Sequence, residues 1–222
     1  MEGEELFYLV DRYVGPHSTI TVSSVSQCLR ATWCAITGKC YVDKEMALKR
    51  EIALEIGKAV HRVLERYGRG IPEKKICFEG LCGRADLVVG DDLVVEVKTT
   101  FIRNSYEYLY KHPEAICQLA FYMKAIGARK GILLLVNRVT LDFKVAFELR
   151  VDKHSKLIEK CVETLLQRSK KLKEHLEKNE EPPAEPGIWC EHCVFWRDCK
   201  AGIGSSKVFD FVLDYVGLGR WL

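Results

Sequence analysis

GRADLVVGDDLVVEVKTT, residues 83–100, contains two short apolar runs on either side of a turn. The runs cover residues 87–89 and 93–95, and the Gly and Asp residues between them favour a tight turn. Two apolar runs joined in this way predict a β-hairpin. We expect the rest of the chain to be arranged around this hairpin.

Three charged residues interrupt the apolar pattern of the hairpin. Asp86 stands at the start of the first run, and Glu96 and Lys98 stand two positions apart at the end of the second. The period of two in a strand points these last two side chains to one face. Carboxylates placed in this way suit Mg(II) or Mn(II), and a lysine beside them can stabilise negative charge on a phosphate. The alternative is an exposed edge strand whose charges prevent aggregation.

The composition is that of an ordinary globular protein. A chain of 222 residues with 48% hydrophobic residues can form one domain with a sizeable core. Its 34 basic and 31 acidic residues give a net charge of +3, too small to indicate a polyanionic partner on its own. The opening stretch MEGEELFYLVDRYV lacks the features of a secretory signal, and no apolar run reaches the ~18 residues of a membrane span. We therefore expect a cytoplasmic protein without a membrane partner.

The ten cysteines favour a metal site over disulfides. They come without a signal peptide, and three of them lie between Cys190 and Cys199. Closely spaced thiolates repel one another unless a cation holds them, so the three indicate a metal or an iron-sulfur cluster. The fourth ligand must come from a distant part of the chain, and Cys28 and Cys34 are both candidates.

Hydrophobic periodicity predicts further helices and strands on both sides of the hairpin. The predicted helices run from Ser23 or Ser24 to Gly38, from Lys44 to Tyr67, from Pro113 to Gly127 and from Lys153 to about Asn179. The predicted strands cover Lys75 to Glu79, Ile132 to Val136 and Leu141 to Val151. These strands extend the hairpin into a mixed sheet flanked by helices.

Several polar residues on the predicted helices are candidates for function. His61 lies on the second helix, where it is either a metal ligand or a histidine satisfied by its surroundings. Gln118 and Tyr122 are four residues apart and therefore neighbours on one helix face, either in a DNA path or on an ordinary amphipathic edge. The basic stretch 168–173 is either a solvated face or a phosphate-binding surface.

The order His61, Asp86, Glu96-x-Lys98, Gln118-x3-Tyr122, with one cysteine upstream and three near the C-terminus, resembles the iron-sulfur RecB-like nucleases of the PD-(D/E)xK superfamily. The chain looks most like the stand-alone CRISPR-associated exonucleases of the Cas-four family, because its length leaves no room for a helicase motor. The resemblance implies an α/β, restriction-endonuclease-like mixed sheet flanked by helices. It also implies a single domain, 1–222, with the cluster module in 20–40 and 187–200 and the catalytic core in 41–180.

The resemblance further assigns roles to individual residues. By this resemblance the metal ligands are His61, Asp86, Glu96 and the backbone carbonyl of Val97. It makes Lys98 the catalytic lysine, with Asp86 and Glu96 as its catalytic partners, and it makes Gln118 and Tyr122 the residues that place the DNA. The implied cluster ligands are Cys28, Cys190, Cys193 and Cys199, with [4Fe-4S] favoured and [2Fe-2S] left open.

The function implied is Mg(II)- or Mn(II)-dependent exonucleolytic cleavage of DNA, chiefly single-stranded and from the 5′ end. The family processes DNA fragments for CRISPR adaptation, so integrase proteins of that pathway are expected partners. The alternative is a non-catalytic, zinc-containing nucleic-acid-binding or adaptor module. Colour separates the two, because iron-sulfur proteins are brown and Zn(II) is colourless.

Overall fold

The computed structural model describes residues 19–199 and 207–218. Five strands form one sheet and lie side by side in chain order. They are β1 (Ile71–Phe78), β2 (Leu81–Val89), β3 (Leu93–Thr100), β4 (Lys130–Asn137) and β5 (Phe143–Arg150). Only β3 and β4 are parallel, and the other neighbours are antiparallel. The predicted mixed sheet is confirmed.

Eight α-helices accompany this sheet in the described residues. In chain order they are α1 (Val22–Val25), α2 (Leu29–Thr37), α3 (Lys44–Tyr67), α4 (Ser105–Lys111), α5 (Glu114–Ile126), α6 (Val151–Lys178), α7 (Trp196–Cys199) and α8 (Asp210–Tyr215). A short 3-10 helix, Ile188–His192, precedes α7.

The hairpin of β2 and β3 forms as predicted. Leu87 pairs with Val95 and Val89 pairs with Leu93, which places the turn at residues 90–92. Gly90 has a φ of 58°, a left-handed conformation that glycine adopts without strain. Val88 and Val94 are fully buried, so the hairpin has one face in the core.

Helix α5 is the centre of the core. Every residue from Glu114 to Met123 is buried, because α5 lies between the sheet and α6. Gly131 of β4 allows this close packing, since a Cβ there would lie 2.4 Å from the sulfur of Met123. The stop at Gly127, with a φ of 77°, agrees with the sequence pattern.

Helix α3 begins and ends as predicted, but its apolar side chains are largely exposed. Asp43 caps it by accepting a hydrogen bond from the amide of Met46, and Gly68 follows its last turn. Only Ala47 is buried, whereas Val63 is 53% exposed. The periodic pattern identifies the helix correctly, but it does not identify what covers the helix.

The predicted continuous helix from Ser23 to Gly38 is wrong in one respect, because it is broken into α1 and α2. Thr21, not Ser23 or Ser24, caps α1. At the break the carbonyls of Val25 and Gln27 accept hydrogen bonds from the guanidinium of Arg168. Since these carbonyls are satisfied by a side chain from α6, the helix can stop there and place Cys28 at the start of α2.

Six of the ten cysteines form disulfides, which corrects the expectation of metal ligation for those six. The pairs are Cys34–Cys40, Cys77–Cys82 and Cys117–Cys161. Their sequence separations are 6, 5 and 44 residues, and only the fold shows which cysteines meet. The remaining four are free, and they are Cys28, Cys190, Cys193 and Cys199.

The tail behind α7 packs on the body in its described part. Phe209, Val212 and Leu213 are buried, as the apolar pattern predicts. Trp221, which we also expected to pack there, and the opening stretch of the chain lie outside the described residues. Among the helices of 19–199 and 207–218, none combines the length and the apolar composition of a membrane span.

Candidate active site

Glu96 and Lys98 meet on one face of β3, as the period of two predicts. The Lys98 Nζ lies 2.7 Å from Glu96 Oε1 and 2.8 Å from Gln118 Oε1 of α5. Two acceptors thus fix the ammonium group, and its third N–H is left for another partner. The lysine is therefore held in one orientation beside a buried carboxylate.

Asp86 of β2 and His61 of α3 complete the group from two other elements. Asp86 Oδ2 accepts a hydrogen bond from the amide of Val97 at 2.6 Å, and Asp86 Oδ1 lies 3.4 Å from His61 Nδ1. A Cβ at Gly57 would lie 3.5 Å from Thr99 Oγ1, so α3 lies on the face of β3 opposite to Lys98. His61 thus approaches Asp86 from one side of the sheet, while Glu96 and Lys98 lie on the other.

Glu73 is a member of this site that the sequence did not suggest. Its Oε1 lies 3.5 Å from His61 Nδ1, and His61, Glu73 and Asp86 place their ligand atoms within 4.8 Å of one another. Glu73 falls between two paired positions of β1, directly across from Asp86, and has a left-handed φ of 46°. Three potential metal ligands therefore converge, of which only His61 and Asp86 were predicted.

Burial makes the carboxylates of this site hard to ionise. It raises the pKa of Asp86 to about 6, against the opposing charge of Lys98. It raises the pKa of Glu96 to about 7, again against Lys98, and the charge of Asp86 adds to the increase. Burial alone would lower the pKa of Lys98, but Glu96 and Asp86 outweigh it and raise that pKa. One lysine therefore does not supply enough positive charge to keep both carboxylates ionised at their ordinary pKa values.

Gln118 and Tyr122, which we expected to place the DNA, are both buried, and their role towards DNA stays a prediction. Gln118 is 4% exposed, and besides holding Lys98 it donates a hydrogen bond to Ser26. Tyr122 is 1% exposed and packs on Gly83, where a Cβ would lie 2.6 Å from the tyrosine hydroxyl. The ring of Tyr122 therefore has no open face in this structure, and Gln118 contacts the site through Lys98.

The four free cysteines line one cavity between α2 and the segment of the 3-10 helix and α7. Burial raises the pKa of the Cys193 thiol, and negative charge on the other three cysteines raises it further. No three of the four sulfurs lie within 4.8 Å of one another in the described chain. Cys34, which is bonded to Cys40, is not one of the four free thiols.

A family model described as the PD-(D/E)XK nuclease superfamily matches residues 71–200, more than half of the chain. The chain belongs to the PD-(D/E)XK nuclease superfamily. The match includes β1 to β5 and therefore Asp86, Glu96 and Lys98. Membership supports a nuclease that uses divalent metal ions. No curated protein gives a significant match to the chain.

Several solved structures resemble this PD-(D/E)XK protein in fold. The crystal structure of SSO0001 has a TM-score of 0.53 at 20% identity and covers 92% of this chain and 98% of its own. The alkaline exonuclease LHK-Exo from Laribacter hongkongensis has a TM-score of 0.45 at 18% identity, with 79% and 97% covered. A phage-related exonuclease from Haemophilus somnus 129PT has a TM-score of 0.43 at 11% identity, with 77% and 99% covered. At 20% identity the likeness to SSO0001 concerns the fold alone.

The residues of this PD-(D/E)XK site fit a divalent cation. Glu96 Oε2 is buried and has no hydrogen-bond partner among the described residues. An oxygen left in this state is costly unless a cation or a donor approaches it. Together with Asp86, His61 and Glu73, it offers the oxygen-rich donor set that Mg(II) and Mn(II) prefer.

Proposed function

We propose that this protein is a divalent-metal-dependent DNA exonuclease. The observation that carries the proposal is the fixed Lys98 ammonium beside two buried carboxylates, in a chain of the PD-(D/E)XK superfamily. In the mechanism we propose, Asp86, Glu96 and His61 hold the metal, together with the carbonyl of Val97. Glu73 is a further candidate ligand because it lies within reach of His61.

The chain's own residues would position the phosphate and the attacking water. A bound Mg(II) or Mn(II) supplies Lewis-acid stabilisation and lowers the pKa of a water. Lys98 stays protonated because two carboxylates raise its pKa, so it acts as a donor. Its free N–H can orient the water or stabilise charge on a phosphate oxygen. Gln118 keeps Lys98 in this position without contacting the substrate.

The substrate and the biological role are inferred from the resemblance to the Cas-four family. We propose that the protein acts chiefly on single-stranded DNA from the 5′ end. In this role it would process DNA fragments for CRISPR adaptation and meet the integrase proteins of that pathway. The match of residue types in order, from His61 to Tyr122 with four free cysteines, supports this assignment.

We further propose that Cys28, Cys190, Cys193 and Cys199 hold an iron-sulfur cluster, with [4Fe-4S] favoured over [2Fe-2S]. The proposal is supported by the four thiols, which are free and line one cavity. Phosphodiester hydrolysis moves no electrons, so the role of such a cluster would be structural.

End-labelled single-stranded and duplex DNA, incubated with anaerobically purified protein and Mg(II), Mn(II) or EDTA, tests the proposed function. We expect metal-dependent shortening of the single strand, with the labelled end revealing the polarity. Glu96→Ala should be inactive. Degradation by Glu96→Ala at the parent rate, or cleavage that persists in EDTA, would contradict the proposal.

A further inference from the structure

Arg138 is a cation without an anionic partner next to the candidate active site. It follows β4 and is half-buried, yet no carboxylate within 19–199 and 207–218 forms an ion pair with it. Burial lowers its pKa, partly offset by Tyr108. An arginine that is partly desolvated and unpaired is one that an external anion would stabilise.

Two hydrogen bonds hold Arg138 against β3. Its Nε donates to Thr99 Oγ1 at 3.1 Å, and its backbone amide donates to the carbonyl of Thr100 at 2.9 Å. Thr99 follows Lys98 and points to the other face of β3, the face on which α3 and its His61 lie. The Nη groups have no acceptor among the described residues, so they are free to bind a ligand beside the site.

Phe101 lies next to this arginine and exposes a large aromatic surface. The Arg138 guanidinium carbon is 5.2 Å from the centroid of the Phe101 ring, in a cation–π contact. Even so, the ring is 63% exposed, although it directly follows the last residue of β3. An exposed aromatic ring beside an unpaired arginine is the combination that binds unpaired nucleotides, because bases stack on the ring and phosphates bind the cation.

Arg129, at the opposite end of β4, differs from Arg138 because it has a carboxylate partner within the protein. Its guanidinium forms two hydrogen bonds with the carboxylate of Asp92, at 2.7 and 3.0 Å. It is neutralised by the protein and lies away from Lys98 at the other end of the strand. The two arginines are therefore a matched pair for an experiment.

We propose that Arg138 and Phe101 form a nucleotide clamp that binds the unpaired nucleotide next to the scissile phosphate. Arg138 binds its phosphate, and the base stacks on the open face of Phe101. This inference rests on the proposed function and extends it, because only a base released from a duplex can stack on the ring. The clamp thus favours single-stranded ends over paired ones without reading a particular base.

Binding of a fluorescein-labelled oligothymidylate, measured by anisotropy with Ca(II), tests the clamp directly. We expect Arg138→Gln to weaken binding about tenfold and to reduce the salt dependence by about one phosphate contact. Phe101→Ala should weaken binding about tenfold, whereas Phe101→Trp keeps it, since the base needs only an aromatic face. Arg129→Gln and Tyr67→Ala, an exposed aromatic on α3, should bind like the parent.

Kinetics with Mn(II) separate the clamp from the chemistry. Hydrolysis of bis(p-nitrophenyl) phosphate, a diester without base or neighbouring phosphate, should proceed at the parent rate in both clamp variants, while KM for the oligonucleotide rises. Unchanged oligonucleotide binding in both variants, or equal losses of activity on the small diester, would overturn the clamp.

The outcomes also separate the clamp from the proposed function. If the parent cleaves DNA but the variants bind it normally, the clamp alone fails. If Arg138 governs binding but no DNA is cleaved, the clamp stands and the proposed nuclease function fails.

Discussion

Lys98, Glu96 and Asp86 act on the same phosphate in the proposed mechanism. Each of the variants Asp86→Asn, Glu96→Gln and Lys98→Met should therefore reduce single-turnover cleavage ~10³-fold or more, and double variants should lose little beyond that. DNA binding should survive in Lys98→Met, since Arg138 and the metal ligands remain. Losses that add up independently would show that the three groups do not work as one unit.

In the proposed mechanism Gln118 acts on the substrate through Lys98, so its removal should change the rate rather than the binding. We expect Gln118→Ala to lower kcat ~10- to 100-fold, because a displaced ammonium group misplaces the water or the phosphate oxygen. KM for DNA should stay near the parent value, since Gln118 is buried. Lys124→Ala, exposed on the same helix, is the matched control. A higher KM with unchanged kcat would indicate direct DNA contact instead.

Asp43 joins two elements, because it caps α3 and also binds the segment of α7. Its Oδ2 accepts hydrogen bonds from Trp196 Nε1 at 3.0 Å and from Arg197 Nε at 2.8 Å. The amide of Met46, followed by Trp196 and Arg197, holds the pKa of Asp43 below its ordinary value of 3.8. The carboxylate therefore stabilises the fold above that pH.

We expect Asp43→Ala to lower the free energy of unfolding by about 1 to 2 kcal/mol at pH 7, the range for a lost helix cap. The stabilisation should disappear as the pH falls from the ordinary value through the lowered pKa of the folded state, so the parent and the variant should converge in acid. Urea unfolding at several pH values measures this difference. A difference that persists undiminished at pH 2 would assign it to something other than the charge.

The elements that local patterns define could be predicted from the sequence. A local apolar period and a glycine at the turn or the end mark the hairpin, α3 and α5. The predicted bounds of these elements therefore agree with the observed bounds to within a few residues. Glu73 could not be found in this way, because the predicted strand started at Lys75. Its place opposite Asp86 depends on the register of β1 and β2.

Burial from distant parts of the chain accounts for the other differences. The spacing of Gln118 and Tyr122 predicts that they are neighbours on one face of α5. It does not reveal that Tyr122 packs against Gly83 of β2, because spacing within a helix says nothing about what covers that face. The basic stretch 168–173 reads as one surface, yet Arg168 is buried and forms an ion pair with Glu185 at 2.8 Å. Its neighbours Lys170 and Lys171 remain exposed, which is the solvated face that the sequence left open.

The proposed cluster joins parts of the molecule that lie far apart in the chain. Cys28 and Cys190 are more than 150 residues apart, so a shared cluster restricts the unfolded chain as a long crosslink does. We expect Cys28→Ala to be colourless, less stable and more sensitive to protease in both terminal segments. Cys34→Ala should remain brown, because Cys34 is bonded to Cys40. Iron content, visible absorption and melting temperature measure these effects.

The catalytic sheet should stay folded in Cys28→Ala, because the terminal segments have a second connection. Glu185 binds Arg168 of α6 and also accepts a hydrogen bond from the amide of Leu29 at 2.9 Å. A brown, stable Cys28→Ala variant together with a colourless Cys34→Ala variant would show that Cys34, not Cys28, is the fourth cluster ligand. Full stability without iron in either variant would contradict a structural role for the cluster.

The three disulfides set a condition on how the molecule is made. Six cysteines must lose electrons to pair, while the four that line the cavity must stay reduced to receive the proposed cluster. An oxidant that acts before iron arrives can join a cavity cysteine to any of the other six, and such a mispaired chain cannot accept a cluster. With the proposed cluster, maturation would have a preferred order, in which the cluster is inserted before the disulfides form. Preparations that are first exposed to air and then supplied with iron, without a reductant, should contain a colourless fraction.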